Sequence, residues 1–320
     1  MKKILLLISF VGLSLNAQTN VTSKYISKVN YQVDEENVIK TLSYLTSDEL
    51  EGRDSGSEGI EKASVYLENL LKENGIKPYF KTYRDTLSNY DKTSYNVVGY
   101  IEGTDKKLKN EFVIIGAHYD HIGKIASVNG DDIGNGANDN ATGTTAVTEV
   151  AKYFAKFKNN KRSVLFVFFS AEEKGLLGSK HLAAKLKEQK MDLYFMFNFE
   201  MIGVPMKDKG MDFYLTGFGK SNMATTMNEY AGEKLVGYLP IETKYMLFRA
   251  SDNYPFFTEF NVPAQTVSTF DFENFQFYHQ PDDEFELMDT KHMTKVISKT
   301  IPVLEKMINA PKKEIKLNEK

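Results

Sequence analysis

The chain has 320 residues, no cysteine and a formal charge of −3. Lack of cysteine excludes a disulfide framework, a lipid-bearing cysteine and thiol chemistry, and the slightly acidic balance argues against a nucleic-acid partner. A chain of this length can bury a core large enough to stand without cross-links.

The first feature in chain order is a targeting segment. Lys2 and Lys3 precede an apolar run over 4–15, and Asn16-Ala17-Gln18 offers a cut after Ala17. A membrane span wants about 18 or more apolar residues, so the run is too short to serve as an anchor. A signal peptide over 1–17 is therefore expected, with export to the periplasm or the exterior and no stable span afterwards. One domain is expected over 18–310, opening with a helical segment over 34–75. The charged stretch 311–320 reads as a solvated, frayed tail.

Helical apolar spacing runs from Asp34 to Leu45, and again from Glu58 to Asn74, where Gly75 closes the helix. A Gly-rich loop after Leu50-Glu51-Gly52-Arg53 separates the two. Strands then alternate with helices. Tyr95–Ile101, Phe112–Ile115, Ser163–Phe169, Leu193–Phe199, Met211–Leu215 and Pro263–Thr269 read as strands. Thr142–Phe157, Leu176–Glu188, Ser221–Ala231 and Asp289–Ile308 read as helices. Such alternation predicts an α/β layered domain with a largely parallel sheet, and ligands of such sheets gather at the carboxyl ends of the strands.

The polar residues follow that rule. Phe112–Ile115 leads into Gly116-Ala117-His118-Tyr119-Asp120, Ser163–Phe169 into Ser170-Ala171-Glu172-Glu173, and Leu193–Phe199 into Glu200. The last strand is followed by Tyr278-His279. Adjacent buried carboxylates such as Glu172-Glu173 are costly unless a cation offsets them. His118 and Asp120 at i, i+2 suit a metal-bound imidazole and the carboxylate that orients it, although a surface histidine beside an unrelated aspartate would look the same. Asp139, in Gly136-Ala137-Asn138-Asp139-Asn140-Ala141-Thr142-Gly143, could bridge two metals, whereas ordinary helix capping by Asn140 or Thr142 would explain the same motif. His279 could bind a metal or sit in an aromatic core patch with Phe270, Phe272, Phe275 and Phe277. Taken together, two histidines, a bridging aspartate, two carboxylate ligands and a spare glutamate make the inventory of a two-metal hydrolytic site. Nitrogen and oxygen donors without thiolate suit zinc, with manganese or cobalt as alternatives.

These motifs, with Asn198-Phe199-Glu200-Met201-Ile202-Gly203, Ser251-Asp252 and Tyr278-His279-Gln280-Pro281-Asp282-Asp283, resemble the secreted co-catalytic di-zinc aminopeptidases of the bacterial leucyl aminopeptidase type. The resemblance implies a three-layer α/β/α sandwich around a mixed, mainly parallel sheet of about eight strands. It implies that His118 and Glu200 bind one zinc, that Glu173 and His279 bind the other, and that Asp139 bridges them. Glu172 would be the general base, Asp120 the partner of His118, and Tyr278 a donor to the tetrahedral oxyanion. The chain departs from the family at Glu200, where aspartate is usual, and at Asn253, where histidine often follows the Ser-Asp pair. Arg249, Asp252 and Asn253 are candidates for the substrate cleft. The implied activity is release of amino-terminal residues from peptides. A carboxypeptidase or dipeptidase on the same scaffold, a single-zinc glutaminyl cyclase, and a non-catalytic ectodomain are the alternatives.

Overall fold

The computed structural model describes residues 31–319. The expected signal peptide over 1–17 lies outside the described residues. Helix α1 (Glu35–Leu45) starts where Asp34 accepts a hydrogen bond from the Glu36 N–H, and it buries Val38, Leu42 and Leu45. Helix α2 (Glu58–Glu73) is capped by Ser57 and runs out at Gly75, whose φ of +70° allows the chain to turn away. Strands β1 (Lys77–Pro78), β2 (Arg84–Thr86), β3 (Tyr95–Ile101) and β4 (Glu111–His118) follow. A hairpin of β5 (Gly123–Val128) and β6 (Asp131–Gly134) comes next, then α3 (Thr142–Phe157). The second half contains β7 (Ser163–Phe169), α4 (Leu177–Glu188), β8 (Asp192–Phe199), β9 (Phe213–Leu215), α5 (Met223–Ala231) and β10 (Val236–Gly237). It ends with α6 (Pro240–Lys244), α7 (Asn253–Phe260), β11 (Ala264–Ser268) and α8 (Thr290–Asn309).

Nine strands form one sheet in the order β1-β3-β7-β4-β8-β11-β9-β10, with β2 also paired to β3. The centre, β7-β4-β8-β11, is parallel, and the flanks carry antiparallel pairings at β3–β7 and β11–β9. Side chains alternate between two apolar layers. Val113, Ile115, Phe166 and Phe197 face the layer that holds α1, α2, α3, α5 and α8. Ile114, Leu165, Val167 and Met196 face α4 and α7. This is the expected α/β/α sandwich, with nine strands instead of about eight. Each fully buried Val, Leu, Ile or Phe contributes about 1.5–3 kcal/mol, which accounts for a cysteine-free core.

The carboxy-terminal tail corrects the sequence reading. Ile315 is buried, and the Tyr194 hydroxyl accepts the N–H groups of Glu314 and Ile315. Leu317 makes a β-bridge with Ser221. The apolar Ile315 anchors a segment whose charged neighbours remain at the surface, so it is docked and not frayed.

The functional strands surround one point. The chain leaves β4 for β7 on one side, then returns past it to β8 on the other. Such a reversal opens a crevice at the carboxyl ends.

Candidate metal centre

His118, Glu172-Glu173 and Glu200 are delivered by strand ends, whereas His279 and Asp139 come from loops. His118 is the last residue of β4. Beyond β7, Ala171 adopts φ +56° and throws Glu172 and Glu173 out of the sheet direction. Met201 (φ +47°) turns the chain just after Glu200, and His279 itself sits at φ +57°. Left-handed non-glycine residues of this kind cost of order 1–3 kcal/mol each and concentrate at functional sites.

Asp139 reaches the same point from the loop before α3. Three side chains of that loop fasten it to the end of β8. Asn140 Oδ1 accepts the Met201 N–H at 3.1 Å, Thr142 Oγ1 the Ile202 N–H at 3.1 Å, and Asn138 Oδ1 the Gly203 N–H at 3.0 Å. Gly143 is required at this junction, because a Cβ would lie 2.3 Å from Asn140 Oδ1 and 2.5 Å from the Phe199 carbonyl. From the opposite side, Asp283 accepts the N–H groups of Asn138 at 2.7 Å and Asp139 at 3.0 Å. Asn140 does bond the Gly143 N–H as a cap would, but most of the motif's polar atoms serve the latch to β8.

The donors separate into two groups that share Asp139: His118, Asp139 and Glu200 in one, and His121, Asp139, Glu173 and His279 in the other. In one, His118 Nε2 is 3.3 Å from Asp139 Oδ1 and 3.0 Å from Glu200 Oε1. In the other, His279 Nε2 is 3.2 Å from Asp139 Oδ2 and 3.2 Å from Glu173 Oε2. Tetrahedral zinc with bonds of about 2.0–2.2 Å places neighbouring ligand atoms about 3.3–3.6 Å apart, so both groups fit an ion with little adjustment. The donor set is nitrogen and oxygen throughout. Among the described residues no lysine or arginine makes an ion pair with Asp139, Glu172, Glu173 or Glu200; their direct cationic partners are imidazoles, and the buried Arg53 acts on Asp139 and Glu173 only from a distance.

The electrostatics reflect that surplus of acids. Burial opposes charge on His279, but hydrogen bonds to Asp139 and Glu173 outweigh it and hold the ring up to about 10. His118 is likewise driven well above the usual histidine range, burial being overcome by Glu200, Glu172 and Asp139. Burial pushes Glu172 well above the carboxylate range, with Asp252, Glu200 and Glu173 adding to the rise and His118 opposing it. Burial also raises Asp252 to about 7.

Asp120 holds more than His118. Its carboxylate accepts the N–H groups of Glu172 (3.1 Å) and Glu173 (3.3 Å) and the Ser55 hydroxyl (3.2 Å). Toward His118 Nδ1 it presents its backbone carbonyl at 3.1 Å, with the carboxylate at 3.7 Å. Tyr278 stacks on His279 with ring centroids 3.9 Å apart. A cavity of about 130 Å³ opens beside the metal-ligand candidates, walled by Glu172, Met201, Thr216, Leu247, Phe270 and Tyr278 among others.

The three cleft candidates fall elsewhere. Asn253 is buried and pinned, donating to the Phe248 and Ala264 carbonyls and accepting from Thr266 Oγ1 at 2.8 Å. Asp252 is buried, and Arg249 is exposed near the Tyr254 ring; none of the three lines the cavity. The residue of this segment that does reach the site is Ser251, whose hydroxyl donates to Glu200 Oε2 at 2.8 Å. Sequence reasoning also passed over His121, Asp283 and Arg53. Arg53 is fully buried and donates to the carbonyls of Leu45, Tyr119, Asn135 and Gly136, which fastens the His118 loop to the Asp139 loop. His121 was visible as a second histidine three residues after His118.

Comparison with known proteins agrees with this geometry. The model described as Peptidase family M28 matches residues 96–303. A probable leucine aminopeptidase 2 of Arthroderma benhamiae is 33% identical over 188 residues, 56% of this chain and 34% of that protein. Aminopeptidase YwaD of Bacillus subtilis is 30% identical over 205 residues, 61% of this chain and 41% of that protein. The matched stretch thus spans less than half the length of either curated relative. Among solved structures, an aminopeptidase from Aneurinibacillus sp. strain AM-1 aligns with TM-score 0.65 at 19% identity, covering 91% of this chain and 96% of the other. A Porphyromonas gingivalis glutaminyl cyclase aligns with TM-score 0.63 at 15% identity, covering 86% and 98%. At these identities the likeness is one of fold.

Proposed function

The chain belongs to peptidase family M28, and from that premise we propose that it is an exported, two-metal exopeptidase that removes residues from the amino end of peptides. The observation that carries the reading is the division of Asp139, one oxygen toward His118 and Glu200 and the other toward His279 and Glu173. Two donor groups of this kind favour a two-metal peptidase over a single-zinc cyclase.

Bound at these positions, zinc would polarise the scissile carbonyl and lower the pKa of water. The chain's own residues supply the rest. Glu172 lines the cavity and stands apart from both donor groups. It takes a proton from the attacking water and returns it to the departing amine nitrogen. Tyr278, whose phenol burial and nearby carboxylates keep protonated, donates to the oxygen that gains charge. Asp120 holds the backbone of Glu172 and Glu173 so that the neighbouring carboxylates keep separate tasks.

The test is zinc stoichiometry measured together with a substrate panel. Two zinc ions per chain and release of amino acids from aminoacyl anilides and short peptides, abolished by acetylating the substrate amine, are expected. Activity that survives acetylation would instead identify a carboxypeptidase. One zinc with cyclisation of amino-terminal glutamine would identify a cyclase, and inactivity across the panel with metal bound would end the enzymatic reading.

A further inference from the structure

We propose that His121 is a positioning residue for the second metal site, donating from Nδ1 to Glu173 Oε1 and so turning Glu173 Oε2 toward His279 and Asp139. The inference rests on the two-metal reading and assigns a role to a histidine outside the expected ligand set.

His121 is fully buried in the loop that follows β4. Its N–H donates to the Arg53 carbonyl at 3.2 Å, and Asp54 pairs with it in an isolated β-bridge. The ring lies flat against Gly136, where a Cβ would come within 2.4 Å of its Cγ, and it meets the His279 ring edge-on at 5.6 Å. The side chain is therefore confined by the Gly136 backbone on one side and the His279 ring on another.

In that placement the two oxygens of Glu173 have different partners. Oε1 is 3.0 Å from His121 Nδ1, while Oε2 is 3.2 Å from His279 Nε2. The contact of Nδ1 with Asp139 Oδ2 is longer, 3.9 Å. A glutamate with one oxygen hydrogen-bonded offers the other in a fixed direction, as outer-shell partners of metal ligands do.

His121 could instead be a fourth ligand, and its other nitrogen argues against this. A histidine that binds through Nδ1 carries its proton on Nε2 and almost always donates it. His118 meets that requirement, with Nε2 toward Asp139 and Glu200 and Nδ1 beside the Asp120 carbonyl. His121 Nε2 is buried and has no hydrogen-bond partner among the described residues. A buried N–H without an acceptor is the rarer and costlier defect, whereas an unprotonated nitrogen tolerates the position better. With the proton on Nδ1, aimed at Glu173, no N–H is stranded. Four protein ligands would also close a site that hydrolysis needs open.

The experiment compares His121→Ala and His121→Asn with the unaltered protein. Asparagine places an amide N–H near the position of Nδ1 but is a poor metal ligand. Zinc affinity is read by chelator competition, coordination by the visible spectrum of the cobalt-loaded protein, and folding by melts of the metal-free variants. His121→Ala should keep one tight metal and bind the other about 10–100-fold more weakly, with lower kcat and little change in KM. His121→Asn should regain most of the affinity with an unaltered cobalt spectrum. Unchanged affinity in His121→Ala overturns the inference. So does a His121→Asn variant that binds as weakly as alanine and shows the cobalt spectrum of a lost nitrogen ligand. If the unaltered protein binds two metals but hydrolyses no peptide, the functional reading falls while the variant pair still decides the role of His121. A protein that binds no metal overturns both.

Discussion

Asp139 has its two oxygens committed to different histidines, so no neighbour can replace it. Glu200 carries the most consequential departure from the family pattern. Its longer arm spans from His118, 3.0 Å from Oε1, to Ser251, 2.8 Å from Oε2. Glu200→Asp shortens that reach by one methylene and forfeits one of the two contacts. The first metal should then bind at least about tenfold more weakly, while the second is unaffected; equal loss at both sites in a zinc titration would refute this. Glu172→Gln should keep both metals and the fold but lower kcat by about 10²–10⁴, and near-normal turnover would remove its role as base. His118, Glu173 and Glu200 were legible because each follows a continuous apolar strand, where a lone polar side chain needs a reason, whereas Asp139 and His279 lie in loops and gained meaning only as members of the set. Asn253 was misread because a change of residue type beside Ser251-Asp252 looked like a change in the cleft, whereas its amide closes backbone bonds behind it. His121 was overlooked because His118, three residues earlier, already takes the histidine role that the motif offers, and the contact that gives His121 its own role, with Glu173 Oε1, is made across the fold.

At the scale of elements, the Asn138, Asn140 and Thr142 side chains set the spacing between the loop before α3 and the end of β8. That spacing fixes the distance from Asp139 to Glu200. Thr142→Val keeps the shape but leaves the Asn138 carbonyl and the Ile202 N–H unpaired in a buried position. We expect a loss of about 1–3 kcal/mol in urea unfolding together with reduced kcat; a change below a few tenths of a kcal/mol would show that the latch is dispensable. Nothing in the motif's residue types reveals such a partner, because hydrogen bonds to a strand end 60 residues away leave no local pattern. The central strands were legible from their apolar runs. The missed elements lack that signal: β1 and β2 are edge strands of 2 and 3 residues, and the β5–β6 hairpin is largely exposed. Helix α7, Asn253–Phe260, hides its period behind Pro255 and its run of aromatics.

For the whole molecule, metal and pH provide the tests of how site and fold are linked. Ligands that bind the folded state alone stabilise it by mass action, so a strong chelator should lower Tm and zinc should restore it. An unchanged Tm would mean that no metal binds preferentially to the folded protein. Glu284 gives a pH test away from the metals. Burial, with Asp131, Asp48 and Glu286 adding repulsion, raises it to about 7 although the Asn135 amide opposes the rise. The unfolded carboxyl titrates at about 4.3, so the folded state keeps the proton between about 4.3 and 7, and stability falls as pH rises through that window. Glu284→Gln should therefore raise Tm at pH 8 and leave it little changed at pH 4, and an equal shift at both values would contradict the assignment. The side chain is partly exposed, so the effect should be modest.

Arg53 bears on where an independent unit of this protein can begin. The stretch shared with the family, 96–303, contains the sheet centre and every metal-ligand candidate. Yet the guanidinium that joins the carbonyls of Tyr119, Asn135 and Gly136 enters from well upstream. Trimming to the shared stretch would strip those carbonyls of their donor between the two loops that must meet at Asp139. A fragment that starts at residue 31 should load metal, whereas one that starts at 96 should not. The smallest working piece of this protein is therefore larger than the piece that identifies it.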